Sequence, residues 1–385
     1  MNLVAGNRLT LLRNGAEFFP ALIAAIDSAM SDVHLETYIF EDDEAGRAVA
    51  GALSRAAARG ARVRLLIDGF GSRELPASFI ARMEAAGVVA LQFRPERGWL
   101  HLRRNRLRRL HRKIALVDGR VGFVGGINIL DDRAGHEGVE PRFDYAVRLE
   151  GPLLADIYPV VHRLWWLVAA LSRKEREPTR TPPPVHPGPV GETTAAFVHR
   201  DNFRHRHDIE ALYLEGIRAA RREILIACAY FMPGWRVRHA LMEAAGRGVR
   251  VAIVVQGWSD HRLFQQASRV LYGTLLDHGI EIYEYGRSEL HAKAACVDGR
   301  WATVGSSNLD PFSLLLAREA NVAVMNESFA RELRESIDQE IRHGARAVPR
   351  LLWKRRPWSR RVVGWLAYGY ARLAMGLAGI GDRWS

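Results

Sequence analysis

Two short stretches of the sequence carry the same reactive side chains at the same spacing. Each has the form His-x-Lys-x4-Asp, and the residues concerned are His111, Lys113, Asp118, His291, Lys293 and Asp298. A histidine can attack phosphorus or transfer a proton, and a lysine can neutralise phosphate oxygens. Because residues two apart on a strand point to the same side, each histidine would share a face with its lysine. The pattern predicts catalysis on a phosphate group.

Both stretches belong to a longer internal duplication. Residues 111–128 align without gaps to residues 291–308, with ten identical residues among 18. Residues 56–69 align to 244–257 in the same order, and residues 34–40 correspond more loosely to 225–231. The chain is therefore predicted to contain two copies of one unit.

Small and polar residues follow each motif. The first stretch ends in Gly-Gly-Ile-Asn at Asn128, and the second ends in Gly-Ser-Ser-Asn at Asn308. The asparagine amides, and the hydroxyl that only the second copy offers at Ser306, can donate hydrogen bonds to an anion. Paired histidines, lysines and asparagines would form a phosphate-binding site in which one histidine attacks phosphorus and the other protonates the leaving group. Spacing alone leaves open which histidine attacks.

The elements that must position these residues alternate between strands and helices in both copies. Predicted strands cover residues 33–40, 63–68, 114–117, 224–231, 249–255 and 294–297, and predicted helices cover 44–59, 153–171 and 237–247. Asp-Gly pairs at 118–119 and 298–299 predict tight turns. The predicted fold class is α/β, with two duplicated domains, mixed sheets flanked by helices, and the active site at their pseudo-twofold interface.

Composition divides the chain into four predicted parts. A first domain covers residues 1–172, a proline-rich linker 173–194, a second domain 195–345, and a basic amphipathic tail 346–385. Six prolines between residues 178 and 189 are typical of a linker. In the tail, a helical apolar stripe with Arg372 on another face favours a helix lying at a membrane interface, with docking on the protein's own core as the alternative.

The charge balance indicates a polyanionic partner. The 385 residues include 55 Lys and Arg against 43 Asp and Glu, a net charge of +12. Residues 103–113 and 354–361 contain seven and five bases without an acid, and together they equal this excess. Such segments bind nucleic acid or anionic membranes. The two cysteines, Cys228 and Cys296, favour a reducing compartment, and neither a signal peptide nor a conventional transmembrane helix is predicted.

The duplicated motif resembles the defining motif of the phospholipase D superfamily. Glu-Thr-Tyr at 36–38, Tyr-Phe-Met-Pro at 230–233 and the run GSSNLDPFSL at 305–314 are similar to bacterial cardiolipin synthases, in particular to the short form without two N-terminal transmembrane helices. The resemblance covers about residues 7–345. It implies a phosphatidyltransferase that joins two phosphatidylglycerol molecules into cardiolipin and releases glycerol, with neither a metal nor another cofactor.

The resemblance also implies a role for individual residues. His111 would be the nucleophile and His291 the acid and base, while Lys113, Lys293, Asn128 and Asn308 would bind phosphate. An acid about 30 residues after each histidine would orient that histidine, and Asp144 and Glu319 fit this position. Asp118 and Asp298 would be structural rather than chemical. Ser306 would influence substrate preference.

Two other functions remain open from the sequence. The superfamily also contains nucleases, and the basic run at 101–113 could follow a nucleic-acid backbone as well as anionic headgroups. A non-catalytic lipid-binding protein would leave the intact duplicated motif unused. The basic, aromatic tail favours a lipid enzyme, so we expect a peripheral protein on the cytoplasmic side of the cell membrane, with anionic phospholipid rather than nucleic acid as partner. The oligomeric state is not predicted.

Overall fold

Strands and helices alternate along both halves of the chain. The computed structural model describes residues 1–95, 108–132, 140–172, 187–258 and 262–354, together with Val362, Leu366 and Gly369. Most of the basic run at 101–113 and of the predicted linker, and nearly all of the tail beyond residue 354, lie outside the described residues.

The first half, up to residue 172, contains seven described strands and four described helices. They are β1 (Val4–Arg13), α1 (Asn14–Asp27), β2 (Asp32–Thr37), α2 (Glu44–Ala58), β3 (Arg62–Asp68), α3 (Ala77–Ala85), β4 (Val89–Phe93), β5 (Lys113–Val117), β6 (Val121–Gly125), β7 (Tyr145–Glu150) and α4 (Leu154–Ser172). The predicted strand at 63–68 is β3, and the predicted helices at 44–59 and 153–171 are α2 and α4. These predictions are confirmed to within one or two residues.

The second half repeats this order. Its described elements are β8 (Thr193–Arg200), α5 (Asp208–Ala219), β9 (Glu223–Cys228), α6 (Trp235–Gly246), β10 (Arg250–Gln256), α7 (Arg262–Arg269), α8 (Tyr272–Asp277), β11 (Glu281–Tyr285), β12 (Lys293–Val297), β13 (Trp301–Gly305), α9 (Pro311–Leu315), β14 (Glu319–Met325), α10 (Glu327–Gly344), β15 (Ala345–Ala347) and α11 (Arg350–Lys354). Here too the predicted strands and the helix at 237–247 are present.

The two motif strands each turn back through the predicted Asp-Gly pair. Asp118 and Gly119 have φ values of 52° and 61°, and Asp298 and Gly299 have values of 55° and 66°. Two successive residues in the left-handed region are what a two-residue hairpin turn requires. The turns join β5 to β6 and β12 to β13 as antiparallel hairpins.

All described strands belong to one mixed sheet. Its order is β15-β11-β10-β9-β12-β13-β14-β8-β1-β7-β6-β5-β2-β3-β4. The strands β2, β3 and β4 are parallel, as are β9, β10 and β11, whereas the motif hairpins run antiparallel to them. Pairing of β1 with β8 connects the two repeats. The predicted α/β class with duplicated, mixed sheets is confirmed, and the two sheets are continuous.

The interface between the repeats is a shared hydrophobic core. Strands β6 and β7 pack against β13 and β14, and one buried cluster includes Val124 and Val147 from the first repeat with Val304 and Val322 from the second. Strands β7 and β14 begin at the same end of this interface. Asp144, just before β7, and Glu319, the first residue of β14, therefore lie at this end. That end of the sheet carries both motif histidines.

A buried ion pair supports the first motif strand. Arg112, which is 1% exposed, donates from Nε and Nη2 to the carboxylate of Glu36 at 2.5 and 2.9 Å, and Glu36 is 2% exposed. The duplication places Ala292 and Ala227 at the equivalent positions. The second repeat therefore fills this space with two small apolar residues in place of two charges.

Helix α4 has the length and composition of a membrane-crossing helix, and half of its apolar window is buried inside the protein. Its residues Leu164 and Trp165 pack with Leu66 and Leu91 of the sheet. These contacts make α4 a core helix of the first repeat.

Candidate active site

The two histidines lie just before the motif strands, at the interface of the repeats. Each precedes by two residues the lysine that begins β5 or β12, and Lys113 and Lys293 are 5% and 1% exposed. Each lysine donates from Nζ to the carbonyl oxygen of its own motif histidine, at 2.6 Å from Lys113 to His111. This local bond holds the ammonium group beside the histidine on the same side of the chain.

Backbone hydrogen bonds tie each histidine to the opposite repeat. The backbone N–H of His111 donates to the carbonyl of Arg318 at 2.9 Å, and the N–H of His291 donates to the carbonyl of Phe143 at 2.9 Å. The next residue after each of these carbonyls is an acid. These backbone hydrogen bonds therefore place Glu319 beside His111 and Asp144 beside His291.

The imidazoles are paired with these acids across the repeats. Nδ1 of His111 lies 2.9 and 3.2 Å from the two carboxylate oxygens of Glu319, and Nδ1 of His291 lies 2.6 Å from Oδ2 of Asp144. The expectation that each acid orients the histidine about 30 residues before it is wrong in its pairing. The reason is the packing of β6 and β7 against β13 and β14, which places each acid in the other half of the site.

Ser306 holds one of these acids. Its hydroxyl donates to Oε2 of Glu319 and accepts from the backbone N–H of Ala320 at 3.0 Å, and the residue is fully buried. The hydroxyl therefore lies behind the carboxylate, and the contact of Ser306 with substrate stays a prediction. In the first repeat a Cβ at Gly126 would come within 2.3–2.8 Å of the Asp144 carboxylate, so only glycine fits there.

Burial disfavours the positive charge of both lysines. It lowers the pKa of Lys113 to about 7, although the carboxylate of Glu319 opposes the shift. Burial likewise lowers the pKa of Lys293, against the opposing effect of Asp144. An anion entering the site would stabilise both ammonium groups, because it adds negative charge to that of Glu319 and Asp144. This is the electrostatic character of a phosphate-binding site.

The histidines differ in their electrostatic surroundings. Burial lowers the pKa of His291 well below its ordinary value, and the charges of Lys293 and Lys113 act in the same direction. Burial also lowers the pKa of His111, but there Glu319 opposes it. Both imidazoles are thus neutral at pH 7 before substrate binds, with Nδ1 directed at a carboxylate, which leaves Nε2 as the basic nitrogen. Burial raises the pKa of Asp144 to about 6.

The two asparagines are held by the backbone of the loops after β2 and β9. The amide oxygen of Asn128 accepts from the N–H of Ile39 at 3.1 Å, and that of Asn308 accepts from the N–H of Tyr230 at 3.4 Å. Both residues are at least 95% buried. Asn128 lines the same small cavity as Asp144 and His291. Since the oxygens accept from the backbone, the amide NH2 groups are the parts that can donate to phosphate.

The motif aspartates lie at the far ends of the motif strands, away from the histidines. Asp118 accepts from the backbone N–H groups of Met30, Ser31 and Asp32, each at 2.8 Å. Asp298 accepts in the same way from the N–H groups of residues 221–223. Each carboxylate secures the start of a neighbouring strand, β2 or β9. This arrangement agrees with a structural role and places neither aspartate among the reacting groups.

Tyr38 contacts the site, although its sequence position suggested no role of its own. Its ring centre lies 4.8 Å from that of His111 and 5.4 Å from Nζ of Lys113. Burial raises the pKa of its hydroxyl to about 12, so it remains a neutral donor. The available signal was its place near the end of the predicted strand at 33–40, within the Glu-Thr-Tyr stretch. The loosely matching position in the second repeat is Ala229.

Comparison with known proteins identifies the family. Residues 22–158 and 213–341 each match the family described as "Cardiolipin synthase, PLD-like domain". The chain belongs to the cardiolipin synthase family. It is 40% identical to cardiolipin synthase B of Salmonella typhi, over 97% of this chain and 90% of that protein. It is 31% identical to cardiolipin synthase A of Pseudomonas putida, over 89% of this chain and 70% of that protein.

This cardiolipin synthase family member has the fold of a solved relative. The crystal structure of phosphatidylserine synthase from Haemophilus influenzae superposes with a TM-score of 0.71 at 15% identity, covering 97% of this chain and 95% of that one. The predicted resemblance to the phospholipase D superfamily is confirmed, as is the expectation of an enzyme of the phosphatidyltransferase class. Within the described residues, no cluster of three or more His, Cys, Asp or Glu side chains is arranged to hold a metal ion.

Proposed function

We propose that this enzyme makes cardiolipin by transferring a phosphatidyl group between two phosphatidylglycerol molecules, through a covalent phosphohistidine. The observation that carries the proposal is the crossed pairing of His111 with Glu319 and of His291 with Asp144, beside two buried lysines. Each dyad provides an oriented imidazole, and the lysines provide charge for a phosphate. Membership of the cardiolipin synthase family supports the choice of lipid substrate.

In the first half-reaction, Nε2 of His111 attacks the phosphorus of the donor lipid. The bond between phosphorus and the glycerol oxygen breaks, and His291, which gains a proton when the anionic substrate binds, gives that proton to the departing alkoxide. We assign the attack to His111 because Glu319 approaches its Nδ1 with both oxygens and is itself fixed by Ser306. A fixed carboxylate stabilises the positive charge that develops on the attacking imidazole.

In the second half-reaction, the neutral His291 accepts the proton of a hydroxyl group on the acceptor lipid. The hydroxyl oxygen bonds to phosphorus, and the phosphorus–nitrogen bond to His111 breaks. Asp144 stabilises the imidazolium form of His291, while Lys113, Lys293 and the amides of Asn128 and Asn308 hold the non-bridging oxygens. A lipid hydroxyl rather than water completes the transfer when the site faces the bilayer and excludes solvent.

The enzyme is proposed to act as a peripheral protein on the cytoplasmic side of the cell membrane. Trp235, Trp258 and Phe312 are 52%, 49% and 41% exposed and lie in or beside loops at the sheet edge that carries the histidines. Tryptophan and phenylalanine at this position suit the headgroup region of a bilayer. The basic segment leading into His111 would add attraction to anionic lipid.

Incubation with vesicles of phosphatidylglycerol labelled in the headgroup glycerol tests the proposal. Cardiolipin and free glycerol should appear in equal amounts with the wild-type protein, and neither should appear with His111→Ala. Formation of phosphatidic acid alone would mean that water resolves the intermediate and that the enzyme is a hydrolase. Cleavage of DNA at comparable efficiency would replace the lipid substrate with nucleic acid.

A further inference from the structure

The two halves of the active site differ in charge at a position that the duplication makes equivalent. Arg109 lies two residues before His111, and Glu289 lies two residues before His291. Glu289 is paired with Arg142, whose Nε donates to it at 2.7 Å. The first half thus carries a guanidinium where the second half carries a carboxylate.

Arg109 lies on the same side of the chain as His111. The neighbours Leu110 and Arg112 are 0% and 1% exposed and point to the other side, as expected for an extended segment. Two residues of extended chain span about 6.6 Å. The guanidinium carbon is 5.0 Å from the ring centre of Phe70, and the Arg109 side chain is 11% exposed.

A second arginine, Arg73, lies over the same Phe70 ring. The guanidinium carbon of Arg73 lies 4.7 Å from the same Phe70 ring centre, and its side chain is 53% exposed. Both arginines act electrostatically on Tyr38, whose ring contacts His111. The first half of the site therefore places the positive charges of both arginines and of Lys113 near Tyr38.

The carboxylate of Asp68, near Arg109, accepts mainly from backbone N–H groups. Asp68 is fully buried and accepts from the N–H groups of Leu110 at 2.8 Å, Phe70 at 2.9 Å and Gly71 at 3.1 Å. Its Oδ1 lies 3.7 Å from Nη1 of Arg109, which also donates to the carbonyl of Arg94 at 3.4 Å. Asp68 therefore holds together the two loop segments that contain Arg109 and Phe70.

The second half makes the same backbone contact without charge. Gln256, the equivalent of Asp68 in the duplication, accepts from the N–H of Leu290 at 2.5 Å. The cavity beside it is lined by neutral polar side chains that include Gln265, Ser268 and Tyr272. The second half thus makes this contact with a neutral side chain, whereas the first half places two arginines beside it.

In the second half-reaction, the acceptor lipid brings an anionic group of its own close to the reacting phosphorus. The attacking hydroxyl of the acceptor lipid is joined through a three-carbon glycerol unit to that lipid's own phosphodiester, which does not react. We propose that Arg109, assisted by Arg73, binds this intact phosphodiester and so forms a second phosphate subsite for the acceptor. A guanidinium can hold two diester oxygens at once. This inference rests on the proposed function.

The subsite takes no part in bond making. The acceptor hydroxyl still gives its proton to His291, and phosphorus still leaves His111. Arg109 acts by binding the acceptor, so its removal should affect lipid acceptors that carry a phosphodiester and spare acceptors that carry none. Free glycerol is such a neutral acceptor, because its transfer regenerates phosphatidylglycerol.

Two assays on the same protein test the subsite: cardiolipin formation from phosphatidylglycerol vesicles, and exchange of labelled free glycerol into phosphatidylglycerol. Arg109→Gln should reduce cardiolipin formation at least about tenfold, the effect of losing a charge-assisted hydrogen bond, with glycerol exchange within about threefold of wild type. Arg109→Lys should lose less. Arg300→Gln removes an exposed arginine at the opposite end of β12 and should leave both rates unchanged.

The outcomes separate the two proposals. If wild type exchanges glycerol but forms no cardiolipin, the proposed function fails. If wild type forms cardiolipin and Arg109→Gln forms it equally well, the subsite is absent although the function stands. An equal fall of both rates in Arg109→Gln would mean that Arg109 supports the site structurally, and this too would overturn the subsite.

Discussion

The Nδ1 atom of His111 lies 2.9 Å from a carboxylate oxygen of Glu319, a residue 208 positions later in the chain. The second dyad, between His291 and Asp144, is equally non-local, with 147 positions between its members. Since each dyad takes one residue from each repeat, neither repeat alone contains an oriented histidine. The catalytic geometry depends on the packing of β6 and β7 against β13 and β14.

Glu319→Gln should reduce kcat for cardiolipin formation by roughly 10³–10⁴-fold, because an amide does not stabilise the charged imidazole as a carboxylate does. Ser306→Ala removes the bond that fixes Glu319 and the acceptor of the Ala320 N–H but leaves the carboxylate in place, and it should cost less, about tenfold. Steady-state rates of the two purified variants, with thermal unfolding as a check of folding, measure this order. Equal losses in the two variants would contradict the role of Ser306 behind Glu319.

The assignment of the nucleophile has a separate test. After a brief incubation with phosphatidylglycerol labelled in the phosphatidyl group, acid-labile label should remain on His291→Ala and should be missing from His111→Ala. The reason is that His291 acts only as acid and base, so its loss slows both half-reactions without removing the attacking nitrogen. Mapping of the labelled peptide identifies the histidine. Label on His291 in the wild-type protein would reverse the assignment.

The motif aspartates should affect stability rather than chemistry. Asp118→Ala leaves three backbone N–H groups without their partner and should lower the free energy of unfolding by about 2 kcal/mol. Despite burial, which raises it, the pKa of Asp118 is lowered by the N–H groups of Met30, Asp32 and Ser31. This stability is therefore present above the unfolded pKa and is lost as pH falls through the folded one. Denaturant unfolding at pH 7 and pH 3 measures both effects, and a large fall in kcat of the folded variant would contradict them.

Part of this site could be predicted from the sequence, because spacing along one strand is a local property. The alternation of His111 and Lys113, and the Asp-Gly turn at 118–119, follow from two-residue periodicity and turn chemistry. The partner of each acid could not be predicted in this way. Asp144 lies at a similar distance in sequence after its own motif histidine as Glu319 does, so spacing gives no sign that the pairs are crossed.

The buried pair of Glu36 and Arg112 shows the same limit. Charged residues are usually exposed, so neither residue alone indicated a place in the core. Their burial depends on the pairing of β2 with β5, which brings two positions 76 residues apart into contact. Only the equivalent alanines of the second repeat, at 227 and 292, hinted that these two positions change together.

This pair gives a prediction for stability. Glu36→Ala should lower the free energy of unfolding by about 3–5 kcal/mol, because it leaves the charge of Arg112 buried without a partner. The double variant Glu36→Ala with Arg112→Ala should be less destabilised than Glu36→Ala, since it copies the second repeat. A double-mutant cycle by chemical denaturation measures the coupling. Additive losses would show that the two side chains do not depend on each other.

Lys113 should lower stability while it supports activity. Its pKa is about 7 in the folded protein, against an ordinary value near 10.5, because burial disfavours its charge. Between these two values the unfolded chain holds a proton that the folded protein has released, so the stability of the wild type rises with pH there. The cost of the buried charge is complete below pH 7 and disappears as pH approaches 10.5.

Lys113→Met should therefore reduce cardiolipin formation more than about 100-fold through loss of a charge that binds phosphate, and yet unfold at a higher temperature than wild type. Its advantage in melting temperature should be largest below pH 7 and should shrink steadily towards pH 10. Thermal unfolding of both proteins across this range gives the difference directly, and effects of pH common to both cancel. An advantage that stays constant with pH would show that the gain comes from packing of the methionine and not from the buried ammonium group.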